Sequence, residues 1–165
     1  MAKDSSFDVV SQVDLQEVDN AYRQAAREIA QRYDLKDSGA TLDFAKADRT
    51  ITIQAPADFV ARQVTDILNG KLVKRGIDLK AIRWDAPVAA SGGSVRVVGR
   101  IVEGIDRATA KKISKDIKDR KLKVKVTIEA DSLRVSSASK DALQAVIQAL
   151  RDEDYGQPLQ FTNYR

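Results

Sequence analysis

The chain contains no cysteine and no histidine. The first absence removes disulfides, thiolate nucleophiles and thiolate metal sites together. The second removes the one side chain that titrates near neutrality unperturbed, and with it the commonest metal ligand. Catalytic triads, zinc hydrolase sites and histidine relays are therefore excluded. Acid–base work would fall to carboxylates or lysines with strongly displaced pKa values. No apolar run approaches the roughly 20 residues that span a bilayer, so no membrane helix is expected. The start, MAKDSSFDVV, has neither an apolar stretch nor a small-residue cleavage site, so a cytoplasmic location is expected rather than export. No motif calls for a cofactor.

Positive charge is plentiful and unevenly placed. Residues 107–125, RATAKKISKDIKDRKLKVK, hold nine basic side chains against two acids, a local +7 in a chain whose net charge is +4. Everything outside that run is therefore net acidic. Such concentration is the electrostatic footprint of a phosphate-rich partner, although a lysine-rich helix is also an ordinary solvated face.

With 165 residues the chain has room for one ordinary domain or two small ones, and it reads as a doubled unit. Residues 7–12 form a short strand, followed by a helix with Val18, Ala21, Tyr22, Ala25 and Ile29 at helical spacing, which Asp14 and Glu17 open as a capping pair. TLDFA (41–45) and TITIQ (50–54) alternate as a hairpin around KADR. Pro56 opens a second helix bearing Phe59, Val60, Val64, Ile67, Leu68 and Leu72, which stops near Gly76. LKAIRW (79–84) is a last strand. The order repeats with a strand at 95–102, a helix marked by Ile105, Thr109, Ile113 and Ile117, strands at 122–129 and 133–136, a helix bearing Leu143, Val146, Ile147 and Leu150, and a strand at 158–164. SGGS (91–94) reads as the linker. The expected fold is α+β: two tandem ferredoxin-like βαββαβ sandwiches with antiparallel sheets, residues 1–90 and 91–165. The first half carries 13 basic and 14 acidic side chains and the second 15 and 10, so the second is the basic domain.

The residues that carry a family likeness are SFDVVSQVDLQEVDNA at the start, KLVKRGID after the second helix, KKI-x3-IKD-x-KLKV in the middle and GQPLQFTNYR at the end. Together they resemble the YajQ family of bacterial nucleotide-binding proteins over residues 6–165. The resemblance implies paired ferredoxin-like domains, binding of nucleotides and of RNA (tRNA included), and, in some members, response to cyclic di-GMP. Tyr33 and Leu35 stand where many relatives have phenylalanine, so this chain departs from the family pattern there.

Strand parity maps three alternative sites. On the helix-free face of the second domain, Arg96, Arg100, Lys123, Lys125 and Arg134 are expected to gather, with Gln160 at hand for a base or ribose and Tyr164 as a stacking ring. That face lacks the aromatic motifs of an RRM sheet, so binding there would be phosphate-dominated and salt-sensitive. Lysines 123 and 125 also suit plain edge protection. A second site is the helix stripe Lys111, Lys115, Lys118, with Lys112 free to pair with Asp116. The third is an interdomain cleft, with Lys71, Lys74 and Arg75 on its wall. Trp84 is read as packing in a core or between domains, and Phe7, Phe44, Phe59 and Phe161 as core-facing. The leading function is a non-enzymatic nucleotide or RNA binder. Beside it stand a nucleotide-regulated protein-interaction adaptor and a metal-dependent enzyme using Asp8 and Asp43.

Overall fold

In a computed structural model, residues 4–165 are described, and they divide into two compact units. One is Val13–Val102; the other is Glu103–Arg165 together with the N-terminal segment through Gln12. The elements run β1 (Ser5–Val10), α1 (Leu15–Gln31), β2 (Thr41–Ala45), β3 (Thr50–Ala55), α2 (Asp58–Lys74), β4 (Ile82–Trp84), β5 (Val88–Ala89), β6 (Val95–Ile101), α3 (Arg107–Asp119), β7 (Lys125–Ile128), β8 (Leu133–Ser137), α4 (Lys140–Arg151) and β9 (Gln160–Thr162). No helix among the described residues is long and apolar enough to cross a membrane.

Each unit is a helix-backed antiparallel sheet, as expected of paired ferredoxin-like folds, but the first strands are exchanged. One sheet runs β7-β8-β1-β9 and the other β2-β3-β6-β4, with β5 paired to β6. Strand β1 thus lies in register with β8 and β9, Asp8 facing Arg134 on one side and Thr162 on the other. Strand β6 pairs with β3 and β4, Gly99 facing Ile51 and Trp84. The expected division at residues 90 and 91 is corrected accordingly: residues 13–102 are inserted between the first strand and the first helix of the other unit. SGGS is correspondingly not a linker between domains. It is the turn of the β5–β6 hairpin, closed by Ala90 N–H donating to Ser94 O at 2.8 Å, with Gly92 and Gly93 at positive φ.

The exchange has identifiable causes. Both strands have the same alternation, so periodicity cannot choose between their sheets. The choice lies in pairs. A Cβ built on Gly99 would stand 2.8 Å from Trp84 Cε3 and Cζ3 and 2.9 Å from Ile82 Cγ2, so only a glycine lets the indole lie on β6. Asp8 of β1 is buried and needs the donors that β8 and the C-terminal segment supply.

Local chemistry explains the helices. Asp14 caps α1 by accepting from Gln16 and Glu17 N–H, Asp106 caps α3 through Thr109 N–H, and Ser139 caps α4 through Ala142 N–H. Helix α2 has no side-chain cap at Ala57 and ends with Gly76 at positive φ. One core is built from Val18, Ala21, Ala25, Ile51, Ile53, Val64, Leu68 and Leu72, the other from Phe7, Val9, Ile113, Ile117, Leu133, Val135 and Val146. Phe44 and Phe161 pack against their cores as expected. Phe59 is corrected: it is 62% exposed, because Val60, Ala61 and Val64 take the buried face of α2. Leu35 is buried and Tyr33 fully exposed.

Candidate nucleic-acid interface

The lysine run folds into one edge of the second unit. Ala110, Ile113, Ser114 and Ile117 bury one face of α3, which leaves Lys111, Lys115 and Lys118 exposed along its flank. The chain then reverses, and Leu122, Val124 and Val126 pack against the same core. Alternation turns Lys123 and Lys125 outward. Strand β7 is the outermost of its sheet, and α3 runs beside it: Arg107, Ala110 and Lys111 line a groove with Ile128, Glu129 and Ala130. The helix stripe and the strand lysines, read from the sequence as lying on opposite faces, therefore border one edge.

Among the described residues none of Lys111, Lys115, Lys118, Lys123 and Lys125 has an ion pair or side-chain hydrogen bond, and the acid that shares their groove is Glu129, beside Lys111. One of the two acids within the run is engaged elsewhere. Asp116 Oδ2 accepts from Tyr155 Oη at 2.8 Å, and Lys112, expected to pair with Asp116, lies over the Tyr155 ring at 5.6 Å. Burial first, and then the bond to Asp116, push the Tyr155 hydroxyl well above the ordinary phenol range.

The other expected residues are placed differently. Arg134 Nε donates to Asp8 Oδ1 at 3.1 Å, and Asn163 Nδ2 donates to Asp8 Oδ2 at 2.7 Å. The Asn163 bond, assisted by Arg134 and working against desolvation, holds the Asp8 carboxyl below its usual range. Gln160 is likewise engaged: its Oε1 accepts from Gln12 N–H at 2.8 Å and its Nε2 donates to Gln12 O at 3.2 Å. Tyr164 is not on the open face. Thr162 pairs with Asp8, and Arg165 exchanges backbone hydrogen bonds with Ser6, so Asn163 and Tyr164 together face the single residue Phe7. This bulge, with Asn163 at φ 56°, shifts parity by one and sends Tyr164 to the helix side, 6.1 Å from the Phe7 ring.

Arg96 and Arg100 belong to the sheet of the other unit. They point to its helix-free face, Arg96 opposite Gln54 and Val88, Arg100 opposite Thr50 and Arg83. Asp85 takes up Arg100 at 3.2 Å. Their transfer removes the charge contrast between halves: Val13–Val102 holds 14 basic and 12 acidic side chains, and the remainder holds the same numbers. Basicity is thus a property of one edge, not of one domain. Lys71 and Arg75 are paired within their own unit, with Glu28 at 3.0 Å and Glu17 at 3.5 Å. Asp8 and Asp43, weighed as metal ligands, lie in different sheets, and no carboxylate cluster suited to a metal occurs among the described residues.

Sequence reasoning missed Asn163, Arg83 and Gly99. A glycine in mid-strand was the available signal for a close approach; nothing local marks Asn163 as a bulge.

The family model described as "Nucleotide-binding protein YajQ-like" matches residues 5–165. A protein of Alkaliphilus oremlandii named "Nucleotide-binding protein" is 50% identical over 165 residues, covering all of both chains. Proteins of the same name from Desulfitobacterium hafniense and Chloroherpeton thalassium are 48% and 44% identical over the same length, again covering all of both chains. A match over nearly the whole chain, with the fold described above, places this protein in the YajQ-like family.

Proposed function

We propose that this chain is a non-enzymatic nucleotide-binding protein whose ligand is RNA, held by its phosphates along the α3–β7 edge. The observation that carries the reading is the convergence of five exposed, unpaired lysines on that edge. Lys111, Lys115 and Lys118 span about 10 Å of helix at the standard rise, beside Lys125 at the start of β7 and Lys123 in the segment that leads into it. Cations in that density release counterions from a polyanion and give affinity without sequence reading. Among the described residues no aromatic ring stands on the neighbouring open face, which agrees with contacts to phosphate rather than to bases. Of the two ligands the family resemblance implies, tRNA suits the strip better than cyclic di-GMP, whose two phosphates would engage few of these cations. The names of the relatives support nucleotide binding.

The test is titration of labelled tRNA into wild type and the Lys111/Lys115/Lys123/Lys125→Ala variant at 50 and 200 mM salt. If four phosphates are neutralised, wild-type affinity falls roughly 100-fold between those concentrations. The variant binds weakly at both, with a shallower salt dependence. Equal affinity and equal salt dependence in the two proteins would refute the assignment. Salt-tolerant binding of labelled cyclic di-GMP, surviving in the variant, would move the ligand away from this edge.

A further inference from the structure

The Val13–Val102 unit holds a cavity of about 420 Å³, lined by Asp58, Ala61, Arg62 and Thr65 from the first turns of α2 and by Trp84, Asp85, Pro87 and Val97. Its size falls in the range of small-molecule sites. Trp84 is the chain's only tryptophan, and it is half-buried rather than enclosed. Its indole rests on β6 where Gly99 leaves room, and the apolar walls continue through Ala61, Pro87 and Val97.

The polar groups around this slot are not equivalent. Thr65 Oγ1 is turned back to Ala61 O at 2.8 Å, and Asp85 is neutralised by Arg100. Asp58 and Arg62 are exposed and have no ion pair or side-chain hydrogen bond among the described residues. They stand one helical turn apart at the rim. A carboxylate there already complements the positive end of α2 and repels a phosphate. It accepts readily from N–H groups on an uncharged ring, and a flat ring suits an indole-walled apolar slot.

We propose that this cavity is a binding site for an uncharged heteroaromatic ring of purine size, its adjacent N–H donors on Asp58 and a ring or exocyclic acceptor on Arg62. The site lies in the unit that lacks the α3–β7 edge, and it does not rest on the RNA reading. Its ligand need carry no phosphate.

Because Trp84 is the sole tryptophan, its indole N–H gives one cross-peak in a ¹⁵N-labelled sample of the full chain. Guanosine, which presents adjacent N–H donors and no charge, is the probe. A saturable shift of that cross-peak is expected, with affinity unchanged within about twofold between 50 and 300 mM salt, as for any uncharged ligand. Asp58→Ala weakens binding about tenfold or more, the loss of hydrogen bonds to a charged acceptor. 1-Methylguanosine, which lacks one donor, weakens it similarly in the wild type. The exposed position of Asp58 keeps the variant folded, which its remaining ¹⁵N spectrum verifies. No saturable shift up to the solubility limit of guanosine overturns the proposal, as does equal binding by 1-methylguanosine or by both Asp58→Ala and Arg62→Ala. None of these outcomes bears on tRNA binding.

Discussion

Replacing Asp8 by asparagine should loosen the sheet that contains the exchanged strand. The carboxylate holds two donors, Asn163 Nδ2 at 2.7 Å and Arg134 Nε at 3.1 Å, and its side chain is 12% exposed. Hydrogen bonds to a charged group contribute about 1.5–3 kcal/mol each. Arg134 is 39% exposed, so its share is screened toward the small value of a surface pair. Desolvation of the carboxylate offsets another part. The expected loss at pH 7 is therefore about 1.5–3 kcal/mol for the whole constellation rather than twice that. Urea denaturation followed by far-UV circular dichroism measures it. The pH dependence supplies the sign. The folded protein holds the Asp8 pKa below its ordinary value, so this stabilisation is fully present above the unfolded value of about 3.9 and is lost as pH falls through the lower folded value. The gap between wild type and Asp8→Asn should thus be constant from pH 5 to 7 and should narrow below pH 4. A gap under 0.5 kcal/mol at pH 7, or one that persists undiminished at pH 2, would show that Asp8 does not anchor β1 as argued.

Two further perturbations test the architecture. Removing residues 1–12 should abolish slow amide exchange in β8, β9, α3 and α4, because Phe7 and Val9 leave that core, while β2, β3 and β6 stay protected; loss of protection in the opposite set would contradict the strand exchange. Gly99→Ala should destabilise by about 1–3 kcal/mol through overpacking against the indole and alter Trp84 emission; an unchanged emission spectrum and midpoint would mean that the ring does not lie on β6.

Much of the local structure was legible in the residues themselves. The strands at TLDFA and TITIQ, the Asp14 start and the Gly76 stop depend on neighbours in sequence, and all appear as read. Partner choice was not legible, because Phe7-Asp8-Val9 and Val97-Val98-Gly99 alternate alike. What separates them is contact with residues far away in the chain, Arg134 and Asn163 for one and Trp84 for the other. The candidate site shows the same limit. Lys111, Lys115, Lys118, Lys123 and Lys125 are neighbours in sequence, and they stayed together. Arg96 and Arg100 were grouped with them only through the mistaken strand assignment. Tyr164 was misread because a one-residue bulge leaves no local signature, and the amide clamp between Gln160 and Gln12 is equally silent in the sequence. The closing motif GQPLQFTNYR, which carries much of the family likeness, largely serves to hold β1: Gln160 grips Gln12, Asn163 grips Asp8 and Arg165 pairs with Ser6.

The insertion of one unit into the other imposes an order on biogenesis. β1 is among the first segments made, yet its partners β8 and β9 come last, and Asp8 meets Thr162 across almost the whole chain. Loop closure of that span is entropically costly until the intervening residues are compact. The Val13–Val102 segment has its own sheet and core and can condense while the ribosome still carries the remainder. Phe7 and Val9 must then stay solvated, or chaperoned, through the roughly 3–12 s that the last 63 residues take to emerge. The gathered middle shortens the tether between β1 and its strand partners, so the nascent chain closes that ladder only after β9 is made, and β1 becomes native later than the segment that follows it.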